Sequence, residues 1–250
     1  IMNDITGDFI GNYVNGIATS GGAVFNSGAI RSITGDFISN YASPGNYNDY
    51  NYDGGAIYNY ANQGDIALIG NITGNFIGNY VISTKERARG GAILNGEKAE
   101  IGTVNGKFIN NYVLGNTESY GGAIYNNGSI GNITGDFIGN YAEAKEGNAY
   151  GGAVYSEADI EKANLPKNIA YHVIVKYGNQ EIELYSMPES LGSNVQMATG
   201  TLVVDNRETF DKYKQSEGYI FGLMKNVSLD DFTLKSYADL MVQAGAITPE

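Results

Sequence analysis

The sequence predicts a mainly β protein: a right-handed parallel β-helix (solenoid) of about five coils of ~30 residues, followed by a small α+β C-terminal segment. Two observations predict the coils and a third marks their end. Five copies of Gly-Gly-Ala, each followed by two apolar or aromatic residues, begin at Gly21, Gly54, Gly90, Gly121 and Gly151. Five copies of Phe-Ile-x-Asn-Tyr alternate with them, from Phe9, Phe37, Phe76, Phe108 and Phe137. Of the 35 glycines, 29 lie in the first 155 residues, and the remaining 95 residues carry neither string. A unit recurring at this period buries its apolar face by stacking on its own copies.

Each part of the unit has a physical reason. Successive Phe residues are 28, 39, 32 and 29 positions apart, and the differences fall after the Tyr or after the Gly-Gly-Ala block. Such variation suits surface loops on a fixed coil. Ile33-Thr34-Gly35-Asp36-Phe37 alternates, which puts Ile33, Gly35 and Phe37 on the core side and Thr34 and Asp36 outside. The outward position before Phe is Asp8, Asp36, Asn75, Lys107 or Asp136, so it accepts either charge. Phe9, Phe37, Phe76, Phe108 and Phe137 are expected to be stacked core rungs.

Three residues on, simple alternation would turn Asn12, Asn40, Asn79, Asn111 and Asn140 outward. Their invariance predicts a corner instead, with Asn itself taking left-handed geometry and the amides stacked as a ladder at ~4.8 Å. Gly22, Gly55, Gly91, Gly122 and Gly152 belong to a second sharp bend, after which Ala admits the next coil. The expected coil has three short strands and one variable loop. Loops 42–53, 82–89, 113–120 and 142–150 leave every coil at the same point.

The predicted boundary separates a repeat domain, 1–160, from a segment at 166–250, with Asn164-Leu165-Pro166-Lys167 as the junction. Ile169 to Tyr177 and Gln180 to Tyr185 flank Gly178-Asn179 and read as a hairpin. Thr201 to Val204 reads as a third strand, and Ser228 caps a predicted helix that ends at Gly245. This segment is an α+β unit or a cap on the open end of the solenoid. The chain opens in mid-repeat at Ile1, so it is expected to be a piece of a longer protein.

Composition narrows the function. A net charge of −12 disfavours nucleic acid and anionic membrane surfaces, both of which select basic protein surface. Cysteine is absent, which removes disulfides, thiolate zinc sites and thiol nucleophiles. No apolar run is long enough to cross a bilayer as a helix. His172, the single histidine, sits in a strand-like run with no second His or Cys to complete a metal set. No catalytic residue, metal site or cofactor site is expected. The carboxylates Asp8, Asp36 and Asp136 recur with the period and read as a solvated face. Lys85 to Arg89 reads as a solvated basic loop. The insertion from Asn46 to Asp53 is the distinctive loop. Tyr47, Tyr50 and Tyr52 offer rigid amphipathic area for a ligand, and Asp49 and Asp53 offer oxygens for calcium.

The two alternating strings, Gly-Gly-Ala-[Ile/Leu/Val] and Phe-x-x-Asn, resemble the repeats of the polymorphic outer membrane proteins of chlamydiae and of related autotransporter adhesins, over about residues 1–155. The resemblance implies a right-handed β-helix passenger at the bacterial surface or secreted, binding an extracellular protein or glycan. Handedness rests on that likeness and on the right-handed bias of parallel crossovers. The chain departs from the pattern in lacking a membrane barrel and in having Ser156 where Asn26, Asn59, Asn95 and Asn126 stand in the other copies. Two other readings stay open: a carbohydrate-active β-helix enzyme, and a structural stalk whose C-terminal segment does the binding.

Overall fold

The computed structural model describes residues 2–16, 19–43, 52–62, 65–158, 168–185, 195–203, 205–214 and 218–219. The repeats form a parallel β-solenoid of about five turns. Each full turn contributes five strands rather than the three expected. Turn two runs through Ala29–Thr34, Phe37–Ile38, Tyr41–Ser43, Tyr52–Asp53 and Ile57–Asn59, and later turns repeat it in register. The fourth strand was missed because it occupies the end of each variable loop: Tyr52–Asp53, Ala88–Arg89, Glu118–Tyr120 and Asn148–Tyr150 pair as a sheet of their own. What varies is the tip joining the third and fourth strands, at 44–51, 83–87, 116–117 and 145–147, and the connection from the fifth strand to the next first strand, at 27–28, 60–66, 96–98 and 127–128.

Main-chain pairing at the inter-strand spacing forces like residues to stack. The five Phe rings lie 4.5–4.8 Å apart between centroids and within 7° of parallel. The five repeat tyrosines, Tyr13, Tyr41, Tyr80, Tyr112 and Tyr141, form a second column at 4.7–5.2 Å. Four of the Phe side chains, all but Phe9, are buried. Ile33, Ile72, Val104 and Ile133 join them from the first strand, and Ile57, Ile93 and Ile124 from the fifth.

Every turn is pinched into two lobes. The Phe and Ile residues fill the larger lobe; Ala42, Tyr52, Val81, Ala88, Val113 and Ala142 fill the smaller. The pinch is where the two repeated strings touch. A Cβ on Gly22 would lie 2.7 Å from the Tyr41 carbonyl oxygen and would overlap the Gly55 carbonyl, and Gly55, Gly91 and Gly122 are placed alike. The two glycines thus divide the labour. Gly21, Gly54, Gly90, Gly121 and Gly151 make the left-handed turn at φ +62° to +70°, and the following Gly provides the space.

Two corners differ from expectation. In Phe-Ile-x-Asn-Tyr the left-handed residue is x, not Asn: Gly11, Ser39, Gly78, Asn110 and Gly139 have φ of +52° to +62°. The turn at x swings the following Asn inward, which is why Asn40, Asn79, Asn111 and Asn140 are buried. Gly35 is not a core residue within a continuous strand. The first strand stops at Thr34, Gly35 turns at φ +145°, and a new strand starts at Phe37.

The C-terminal hairpin forms as predicted, Asn168–Tyr177 antiparallel to Gln180–Tyr185 about Gly178 at φ +58°. Val195–Val203 adds in parallel to the first of these strands, covering the expected strand from Thr201 as far as Val203. The segment is continuous with the solenoid sheet, because Ile169 pairs with Ile138 and extends the Phe strands. Among the described residues it carries a helix at Arg207–Lys214, which the sequence reading missed. The helix predicted from Ser228 to Gly245 and the junction 164–167 lie outside the described residues.

Candidate functional site

The ladder residues build the scaffold on which any site must sit. Asn40 Nδ2 donates to Asn79 Oδ1 at 2.9 Å and to the Phe9 carbonyl at 2.9 Å, while its Oδ1 accepts from the Asn12 amide N–H and side chain. Asn79 and Asn111 repeat the same four bonds one turn on. Asn140 accepts from Asn111 and donates to the Phe108 carbonyl. A second ladder runs through Asn26, Asn59, Asn95 and Asn126, linked at 2.7–2.9 Å and ended by Ser156 Oγ at 3.0 Å. Sequence reasoning noted these asparagines only as the background against which Ser156 departs. Their recurrence after four of the five Gly-Gly-Ala blocks was the available signal.

The predicted ligand residues scatter. Tyr52 is 1% exposed, packs in the small lobe and donates its hydroxyl to the Gly16 carbonyl at 3.1 Å, so it is core rather than contact surface. Its strand alternation places Tyr52 inward and Asp53 outward. Tyr47, Tyr50 and Asp49 lie outside the described residues. Asp53 is not available to calcium: both its oxygens are held at 2.7 Å by the Arg89 guanidinium. The basic stretch is solvated only in part: Lys85 and Glu86 are exposed, whereas Ala88 is core and Arg89 is largely covered. Burial alone would lower the Arg89 pKa, but the bonds and charge of Asp53 raise it above the ordinary value. Asp36, Asn75 and Lys107 form an outer ladder in which each main-chain N–H meets the previous side chain at 2.7–3.2 Å. His172 stands opposite Tyr185 in the hairpin. Among the described residues no group of three or more His, Asp or Glu can hold a metal ion, and no helix is long and apolar enough to cross a membrane.

Two surface features remain. At the tip of the small lobe the connecting segments stack on one another: Ser83 N–H donates to the Leu114 carbonyl, Asn116 N–H to Glu86, and Lys145 N–H to Gly115. Ile82, Ser83, Leu114, Asn116, Glu143 and Lys145 line an open depression of about 350 Å³ there. The second feature is an aromatic corner astride the Gly-Gly bend. Asp53, Arg89, Tyr120 and Tyr150 project from the fourth strands, and Phe25, Tyr58, Leu94, Tyr125 and Tyr155 from the fifth. The two columns converge across the bend, with Tyr120 only 4.9 Å from Tyr155 and 6.1 Å from Tyr125 between ring centroids. Arg89 lies over the Tyr125 ring at 5.0 Å. Burial pushes both phenols up to about 12, helped by the Glu118 carboxylate at Tyr120 and the Glu157 carboxylate at Tyr125.

No family model, curated protein or solved structure matches the chain.

Proposed function

We propose that this chain is a non-enzymatic display segment of a bacterial surface or secreted protein of the autotransporter type, binding an extracellular protein or glycan along the edge formed by its strand-connecting tips. The single observation behind this reading is the contrast between constant coil and variable tip. The first Asn ladder, the Phe stack and the waist are the same from turn to turn, whereas the segments joining third and fourth strands differ in length and sequence, and those at 83–87, 116–117 and 145–147 stack along one edge. Rigid strands holding variable connections are the usual arrangement of recognition surfaces. The resemblance of the two repeated strings to autotransporter adhesin passengers supports the same reading and supplies the expected location, outside the bacterial cell.

The test keeps every strand and replaces tips 44–51, 83–87, 116–117 and 145–147 with short Gly-Asn turns. Attachment to a glycan and extracellular-matrix array is expected to fall to background while the far-ultraviolet spectrum is retained. Undiminished attachment would reject display by the tips. Shortening of a bound polysaccharide would replace the reading with that of an enzyme.

A further inference from the structure

The fourth-strand column changes character along the solenoid. At turns two and three its outward residues are an acid and a base that satisfy each other, Asp53 and Arg89. At turns four and five the same positions are Tyr120 and Tyr150, facing Tyr125 and Tyr155 across the bend. Glu118 and Glu157 accompany these four rings: Tyr125 donates its hydroxyl to Glu157 at 2.9 Å, and Glu118 lies two residues before Tyr120 on the same strand. Tyr150 is 41% exposed and Glu157 is exposed.

The molecule therefore carries its own example of what this corner binds. One turn earlier, a guanidinium packs over the Tyr125 face and meets a carboxylate beside it. At Tyr155 the place that Arg89 takes beside Tyr125 is filled by Tyr120, so the wall continues on the exposed side of Tyr150 and Tyr155, with Glu157 at hand and no cation among the described residues that line it. A ring face attracts cations through its quadrupole, and the attraction grows when the cation is partly dehydrated. The planar guanidinium is better suited than ammonium because it stacks flat and is more weakly hydrated. A protein carrying a net charge of −12 also draws cationic partners towards it.

We infer that the four-tyrosine corner of turns four and five is a docking site for an arginine side chain of a protein partner, held over Tyr150 and Tyr155 with Glu157 as its counter-ion. The site deepens the display reading and rests on it for its purpose, since Tyr150 ends the strand that follows tip 145–147.

The probe is a short Gly-Ser peptide carrying one central arginine, titrated into the full chain and followed by ¹H–¹⁵N NMR. Saturable shifts are expected at Tyr150, Tyr155 and Glu157. A citrulline peptide, equal in shape but uncharged, should bind at least tenfold more weakly. Tyr155→Leu and Glu157→Gln should each weaken the arginine peptide about fivefold or more, while Tyr13→Leu at the opposite end leaves it unchanged. Equal binding of the citrulline peptide overturns the site, and this comparison needs no variant to fold. Affinity unchanged in Tyr155→Leu, with shifts spread over the acidic columns, would mean attraction to net charge and also overturns it. Glucosamine binding more tightly than the peptide would replace the protein partner by an amino sugar. Peptide failure beside loss of attachment on tip replacement removes this site alone; peptide binding beside undiminished attachment leaves the site standing and removes display by the tips.

Discussion

Replacing Asn79 by alanine removes the central rung of the first amide ladder. The side chain is fully buried and makes four bonds: Oδ1 accepts from the Asn40 amide N–H and the Asn40 side chain, and Nδ2 donates to the Phe37 carbonyl and to Asn111 Oδ1. Two of the four partners keep another bond, because Asn40 Nδ2 still reaches the Phe9 carbonyl and Asn111 Oδ1 still accepts from the Asn79 N–H. The Asn40 N–H and the Phe37 carbonyl lose the partner this side chain supplies. The Phe37 carbonyl keeps its bond from the paired Phe76–Ile77 strand, so the Asn40 N–H alone is left unsatisfied, and a buried polar group in that state costs about 1–3 kcal/mol, which is the expected loss. Asn12 sits at the exposed first turn, and Asn40 Oδ1 retains the Asn12 backbone donor when the side chain goes. Asn12→Ala should therefore cost only about 1 kcal/mol or less. Urea unfolding followed by circular dichroism measures both, and amide exchange shows whether Asn79→Ala opens the stack locally, as nearest-neighbour stability in a solenoid allows. Equal losses for the two variants, or a loss under about 1 kcal/mol at Asn79, would refute the account of the ladder as satisfied buried polarity.

Other consequences follow from the same contacts. Gly91→Ala should destabilise by several kcal/mol, because its Cβ would overlap the Gly122 carbonyl and crowd Tyr112, and a thermal melt reads the change. Ser39→Gly should raise the melting temperature slightly, gaining about 0.5–1 kcal/mol by relieving a left-handed non-glycine residue. Arg89→Met should cost about 3–5 kcal/mol by leaving Asp53 buried and unpaired, and adding Asp53→Asn should recover much of it in a double-mutant cycle. Tyr58, Tyr80, Tyr112, Tyr120 and Tyr125 all hold their protons above the ordinary range, chiefly through burial. Raised folded-state values mean that their contribution is complete below about pH 10 and is lost as pH rises through 10–12 and beyond. Absorbance at 295 nm and circular dichroism should then change together in that window; phenolate forming well before any loss of structure would contradict it.

The stack itself was legible because repetition is visible without geometry. Phe9 to Phe137 and Asn12 to Asn140 recur with nothing between them that alters their type, and the structure makes each series a column. The assignment of the bends was harder, since φ is not written in residue type when several residues tolerate it. The x position carries Gly three times and Ser39 and Asn110 once each, so residue type alone does not mark it as the bend. The fourth strand was illegible for a related reason: Tyr52-Asp53, Ala88-Arg89, Glu118 to Tyr120 and Asn148 to Tyr150 share only an inward–outward alternation, and two or three residues are too short for period to show. Tyr52 was misread with it. An aromatic residue near an insertion resembles a ligand contact until the strand phase is known, and here the phase turns it into the small lobe.

The waist explains why the two strings must occur together. Gly55 can lie against the Tyr80 backbone only if it has no side chain, and Asn79 is turned inward just before that tyrosine by the left-handed residue Gly78. Changing either string would separate the two segments at the pinch and merge the lobes. Between them the strings fix both sides of the pinch, so the backbone outside it is free to vary without disturbing the core. That freedom is used in the connections between strands and in the outward columns beside the Gly-Gly bend. In the columns, Asp53 and Arg89 give way to Tyr120 and Tyr150 while the strands beneath stay in register. A surface able to exchange an ion pair for an aromatic wall on an unchanged backbone is one on which new binding specificity arises at little cost to stability.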